Sequence, residues 1–249
     1  MIEIWRERTP YHEIRIIETS YAEGRQGRFR VLQFADGAEQ GVVDLDEPGR
    51  IVLAYPRALI QLLACCENNS PEVFMIGHGA GTIAGYYASS PHVSFISVEL
   101  DERLAQLSRD FFGYSGPEVR VGEGREELSK QAEDSLDCII VDAFSAKGTP
   151  RQLISLPFVQ LAKSRLRASG LLLYNVGGRK CNDRLMDAMY ATLAASYTYV
   201  EVFAPAATSV DEVTNILFAA SDFPLAFDIA ELAGFQPIDM QAGHLIYDR

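Results

Sequence analysis

From residue 72 onward the chain alternates short, nearly unbroken apolar runs with segments of helix length. The runs Val73–Ile76, Val93–Val98, Val119–Val121, Cys138–Val141 and Leu171–Val176 read as strands buried on both faces of a parallel sheet. A strand covered by helices above and below needs apolar residues at every position rather than at every second one. Helical spacing fills the intervals near residues 81–89, 101–113, 124–132 and 154–168. A further helix at about 182–196 leads into Tyr199–Phe203 and Asn215–Ala220, two runs expected to pair as a hairpin that closes the sheet. The pattern predicts an α/β fold built on a doubly wound, seven-stranded, mostly parallel sheet of the Rossmann type.

The first fifty residues follow another rule. Ile14–Glu18, Phe29–Phe34 and Gly41–Leu45 have strand character, with a turn expected at Asp36–Gly37, so residues 11–45 predict a small antiparallel β region. Apolar residues at spacings of three and four from Ala54 to Cys66 predict a helix, with Pro56 in its first turn, where proline is tolerated. The expected organisation is an N-terminal β-strand region over residues 1–52 and an α/β domain over 53–249.

Charge narrows the partners. Twenty-two Lys and Arg stand against 34 Asp and Glu, a net charge of −12, which repels phosphate backbones and anionic membrane surfaces and would suit a cationic substrate. No nucleic-acid or membrane partner is expected. No stretch approaches the roughly 20 apolar residues of a membrane span, and Met1–Glu7 lacks the basic-then-apolar order of an export signal. The expected location is the cytoplasm. Cys65, Cys66, Cys138 and Cys181 show neither C-x-x-C spacing nor a disulfide framework, and His12, His92 and His244 are scattered, so no metal is expected.

The chemistry gathers at strand ends. The first apolar strand runs into Gly77-His78-Gly79-Ala80-Gly81 and then a helix, where glycines permit a tight turn and a helix start offers unpaired N–H groups. His78 either touches a ligand there or fills space. The second strand ends at Glu99, placed to accept hydrogen bonds from ribose hydroxyls; the third ends in Gly122-Glu123-Gly124 and the fourth in Asp142. Acidic side chains at three successive strand ends suit hydroxyls, an exocyclic amine or a sulfonium cation, and suit a pyrophosphate poorly. An adenosyl nucleoside is therefore expected rather than NAD, whose second nucleotide-binding half is also missing. The polar segment Ser145–Pro150 is a candidate lid or a plain loop. Tyr174, Asn175 and Gly177–Gly178 either line an acceptor pocket or form a turn.

With these residues in place, the chain resembles the spermidine synthase family from about Tyr11 to Ala220. Asp36-Gly37-Ala38-Glu39-Gln40 is similar to the family's D-G-x-x-Q turn, Tyr55 stands in the following helix, and the ordered set Ile76–Gly81, Val98-Glu99, Gly122-Glu123-Gly124 and Ile139–Asp142 completes the match. The resemblance implies the class I S-adenosylmethionine-dependent methyltransferase fold and a donor that is S-adenosylmethionine or its decarboxylated form. It implies that Gln40 and Tyr55 border the nucleoside or substrate and that Gly77, His78, Gly79 and Gly81 form the turn beneath it. It further implies that Glu99 holds the ribose, that Glu123, followed by Gly124, approaches the adenine, and that Asp142 lies beside the nucleoside. A homodimer or homotetramer joined partly through the N-terminal strands is implied as well.

The chain departs from that family at two carboxylates. Family members read G-G-G-D-G-G at the first turn, where this chain has Ala80, and D-x-x-D-P after the fourth strand, where it reads Asp142-Ala143-Phe144-Ser145-Ala146. Pro56 replaces the histidine that follows the family's tyrosine. A serine hydroxyl is neither charged nor basic near neutral pH, so it does not replace a carboxylate as base for an ammonium. Asp142 and Ser145 are the candidate catalytic positions. The first expectation is transfer of a sulfonium substituent, methyl before aminopropyl, to a small acceptor, an amine being one candidate. The alternatives are aminopropyl transfer that makes a polyamine, and a non-catalytic nucleoside-binding module.

Overall fold

The computed structural model describes every residue except Asp36, Glu67, Ala146, Lys147 and Arg249. One residue of the expected Asp36–Gly37 turn and two of the 145–150 segment therefore lie outside the described residues. Four strands come first, β1 (Ile2–Arg8), β2 (Glu13–Ala22), β3 (Arg25–Phe34) and β4 (Glu39–Asp44), each paired antiparallel with the next. Helix α1 (Ala54–Leu63) leads into the central sheet of β5 (Glu72–Ile76), β6 (Ser94–Glu99), β7 (Arg120–Val121), β8 (Leu136–Val141), β9 (Leu166–Gly178), β10 (Tyr199–Pro205), β11 (Thr214–Ser221) and β12 (Phe235–Pro237). The connecting helices are α2 (Thr82–Tyr87), α3 (Glu102–Phe112), α4 (Gly124–Ser129), α5 (Leu156–Arg165) and α6 (Arg184–Ala194).

The strands lie in the order β12-β10-β11-β9-β8-β5-β6-β7, parallel from β9 to β7 and antiparallel beyond. The chain winds outward in one direction through β5, β6 and β7 and in the other through β8 and β9. Loops at the carboxyl ends of β5 and β8 consequently diverge, and a crevice opens between them. The sheet has eight strands rather than seven. The added β12 is three residues long, too short to show a period. Strand β1 was also not expected, because its side chains are almost all exposed and no buried face marks it.

Successive residues of β5, β8 and the later part of β9 point to opposite faces, and both faces are covered; the edge strand β7 is exposed at both residues, so the run Val119–Val121 does not give the doubly buried strand expected. Phe74, Ile76, Ile139 and Val141 pack with Phe158 and Val159 of α5 and Met186 and Met189 of α6. Val73, Met75, Ile140 and Leu173 pack with Leu59 and Leu62 of α1 and Ile83 of α2. This explains why the strands carry no polar alternation.

The N-terminal sheet docks on α3. Ile14, Ile16 and Leu32 meet Leu104, Leu107 and Phe112, and Thr9 Oγ1 donates to Asp101 Oδ2 at 2.5 Å. Arg103 Nε lies 2.7 Å from Glu7 Oε2. Gly41 in β4 allows this approach, since a Cβ there would come within 2.4 Å of the Ala80 Cβ. Residues of β4 therefore reach the rim of the crevice.

Candidate functional site

Three backbone bonds hold the strand ends level: Gly77 N to Val98 O, Asp142 N to Ile76 O and Gly122 N to Glu99 O, each 2.9 Å. Gly77 is required where β5 turns. Its φ is +94°, and a Cβ would lie 2.0 Å from the Asp142 carbonyl oxygen. Around these ends a cleft is lined by Gly77, His78, Gly79, Glu99, Glu123, Gly124, Asp142 and Ser145, together with Gln40 and Tyr55 from the preceding part of the chain. Gly81 is not among the lining residues. With φ +79°, it caps the start of α2, where a Cβ would press on His78 and Tyr114.

Glu99 is buried, and its carboxylate organises the Gly-rich turn. Oε2 accepts from the backbone N–H groups of His78 at 3.0 Å and Gly79 at 3.3 Å, and Oε1 accepts from Asp101 N at 3.1 Å. Such charge-assisted bonds are about twice as strong as neutral ones. A carboxylate offers about four lone-pair positions, so three N–H groups do not exhaust it.

The His78 ring is engaged on the protein side. Nδ1 lies 3.0 Å from Ser97 Oγ, Nε2 lies 3.0 Å from Ser108 Oγ, and the edge of Tyr114 packs against the ring. Burial lowers its pKa to about 4, with the Arg109 charge adding to the effect. A neutral ring locked between two hydroxyls is a strut joining β6, α3 and the turn. The residue also lines the cleft.

Asp142 projects from the end of β8. Asn175 Nδ2 of β9 donates to its Oδ1 at 2.8 Å, and the Tyr55 hydroxyl of α1 bonds the same carboxyl group. Burial raises the Asp142 pKa to about 6 and the Glu99 charge adds to the rise, while the Asn175 and Tyr55 bonds oppose it. Burial and the Asp142 charge raise the Tyr55 phenol well above its ordinary value, so it stays a donor. A carboxylate that titrates near 6 is far better matched to taking up a proton at neutral pH than an exposed one.

The other candidate positions divide. Glu123 caps α4, its Oε2 accepting from Glu126 N at 2.8 Å, so its carboxylate has a structural task at the cleft wall. Ser145 Oγ donates to Gly148 O at 2.7 Å. Ala80 lines the cleft and also packs into the apolar contact between β2, β3 and α3. Tyr174 lies in the core, its hydroxyl donating to Leu153 O at 3.0 Å, and Gly178 packs against Met186; neither lines the cleft.

Sequence reasoning missed His12 and Phe34. Their rings stack at 4.0 Å with an interplanar angle of 6°, on the N-terminal side of the cleft. Burial lowers the His12 pKa, although the charges of Glu99 and Asp101 oppose the shift. Among the described residues no group of His, Cys, Asp or Glu could hold a metal ion, and no helix is long and apolar enough to cross a membrane.

Comparison with known proteins accords with this arrangement. Spermidine synthase 2 of Arabidopsis thaliana is 29% identical over 140 residues, 53% of this chain and 41% of that protein. The polyamine aminopropyltransferase of Neisseria meningitidis serogroup A is 24% identical over 175 residues, 68% of this chain and 66% of that protein. The crystal structure of a probable spermidine synthase from Corynebacterium glutamicum superposes with a TM-score of 0.84 at 22% identity, covering 98% of this chain and 96% of that one. The chain is spermidine synthase-like. The wider fold is that of class I methyltransferases: human methyltransferase-like protein 13, solved in complex with SAH, gives a TM-score of 0.59 at 21% identity over 72% of this spermidine synthase-like chain and 87% of its own. No protein-family profile matches. The matched segment spans between two-fifths and two-thirds of these two curated relatives.

Proposed function

We propose that this spermidine synthase-like chain binds decarboxylated S-adenosylmethionine in the cleft and transfers its aminopropyl group to a small aliphatic amine. The observation that carries the reading is Asp142, a carboxylate at the strand end, bonded by Asn175 and Tyr55 and titrating at about 6. The described cleft lining also holds Glu99 and Glu123 and contains no Lys or Arg. That charge pattern suits a sulfonium donor bearing an amine and offers no cationic partner to the carboxylate of intact S-adenosylmethionine. Glu99, with one acceptor position left on Oε1, takes a ribose hydroxyl, Gly77 and Gly79 let the backbone approach the nucleoside, and Glu123 and Gly124 border the adenine.

The transfer requires little covalent help. The acceptor, an ammonium in water, gives a proton to Asp142 and attacks the aminopropyl carbon attached to sulfur. The carbon–sulfur bond breaks with its electron pair passing to sulfur, which leaves neutral methylthioadenosine and a protonated secondary amine. The cleft contributes alignment of donor and acceptor and one proton acceptor. Asp142 does this where Ser145 cannot.

Methyl transfer, the first expectation from the sequence, finds no support among the curated relatives, which are named spermidine synthase or polyamine aminopropyltransferase; the likeness to methyltransferases lies in the fold. Incubating the protein with each donor and a panel of aliphatic diamines tests the reading. Methylthioadenosine marks aminopropyl transfer, S-adenosylhomocysteine marks methyl transfer, and neither product from any amine leaves a binding module. The proposed dimer or tetramer would use the exposed edge of β1, and light scattering tests it.

A further inference from the structure

The adenine side of the cleft is braced from behind by a segment far away in sequence. Arg125 follows Gly124 of the cleft wall, and its Nη1 donates to Asp248 Oδ1 at 2.8 Å and to Gln152 O at 3.4 Å. Gln152 and Leu153 line the cleft directly. The same Asp248 Oδ1 accepts from Ser155 Oγ, fully buried at the start of α5, at 2.6 Å. On either side, Arg151 Nε donates to Tyr247 O at 2.8 Å and Leu156 N to Ile246 O at 2.7 Å. Ile246 is buried in the main core, and its N–H donates to Thr192 Oγ1 of α6 at 3.0 Å. Residues 246–248 thus form a strap anchored in the core, and its one carboxylate joins the start of α4 to the 151–156 segment.

We infer that Asp248 is a positioning residue for the nucleoside cleft, holding Arg125 and the 151–156 segment so that Glu123, Gly124, Gln152 and Leu153 keep the shape the ligand requires. Neither Asp248 nor Arg125 touches the cleft contents; Asp248 acts through Gln152 and the α4 start. The Arg125–Asp248 pair is about one-third exposed, and such pairs add little to global stability. Its consequence is local. Arg125, released from Asp248, would be an unpaired cation two residues from Glu123, and Gln152 would lose its anchored partner.

The inference rests on the nucleoside reading of the cleft. The test compares the full chain with Asp248→Asn and Asp248→Glu, using amide hydrogen exchange without ligand and calorimetric titration with methylthioadenosine. Asp248→Asn is expected to speed exchange in residues 122–128 and 150–156, to weaken methylthioadenosine binding about threefold to tenfold, and to leave the melting temperature nearly unchanged. Asp248→Glu is expected to restore both exchange and affinity. Unchanged exchange, or unchanged affinity while the parent protein binds, overturns the inference and leaves the nucleoside reading standing. Failure of the parent protein to bind methylthioadenosine overturns that reading, and the inference with it.

Discussion

Asn175 donates from Nδ2 to Asp142 Oδ1 at 2.8 Å, while the carbonyl oxygen of the same buried amide has no hydrogen-bond partner within the described structure. A buried acceptor left unsatisfied costs about 1–3 kcal/mol. The amide is therefore held by the demands of Asp142, from the adjacent strand, more than by its own.

The pH dependence follows from this contact. Asp142 titrates at about 6 in the fold against an ordinary 3.8, so the folded protein binds more protons than the unfolded chain between those values. Stability from this group is full below about 3.8 and falls as pH rises to 6, costing up to about 3 kcal/mol, less where water in the cleft screens the charge. Asp142→Asn should raise the melting temperature at pH 7 and abolish turnover. The parent kcat/KM should rise through about pH 6 to a plateau. Asn175→Ala, which removes a bond that lowers the Asp142 pKa, should move that inflection upward; a pH–rate profile with an unmoved inflection would separate Asn175 from the reaction.

Glu99→Gln keeps the size of the side chain but turns an anionic acceptor of three N–H bonds into an amide. Methylthioadenosine binding should weaken at least about tenfold, the scale of a hydrogen bond to a charged group. Calorimetry measures it, and unaltered affinity would remove Glu99 from the ribose.

His78 supports the turn through Ser97 and Ser108. Its folded pKa of about 4 lies below the ordinary 6.5, so its contribution is full above 6.5 and is lost as pH falls toward 4, about 3 kcal/mol in all. Replacing His78 by Ala should cost a similar amount at pH 7, through lost bonds and the space left behind. It should also flatten the acid side of the stability curve, which chemical denaturation from pH 7 to pH 4 would reveal.

Ser145→Asp introduces a carboxylate three residues after Asp142. On the aminopropyl reading, kcat with a diamine acceptor should rise about a hundredfold, the low end of what a positioned base contributes. A rate that stays the same would mean that Asp142 already serves the proton transfer alone.

Much of this architecture was written locally. Strands β5 and β8 and the later part of β9 are largely apolar on both faces because helices cover both faces, and that leaves a continuous run in the sequence. Gly77, Glu99 and Asp142 could be placed at strand ends because each lies at the junction where its own run stops. The supporting contacts have no such trace. Thr9 with Asp101, Asn175 with Asp142, His78 with Ser108, and Arg125 with Asp248 join residues 30 to 123 positions apart, and no periodicity records a pairing across that distance. Strand β1 escaped notice because an exposed edge buries no face, and β12 because three residues make no pattern. The sequence by itself determined the central parallel strands, the doubly wound α/β class and the acidic strand ends, since burial and turn chemistry act on neighbouring residues. Only the tertiary structure decided that the His78 ring joins Ser97 to Ser108, that His12 and Phe34 stack at the cleft, and that Asp248 bonds Arg125 and Ser155, because each depends on which distant side chains the packed core brings within hydrogen-bonding or stacking range.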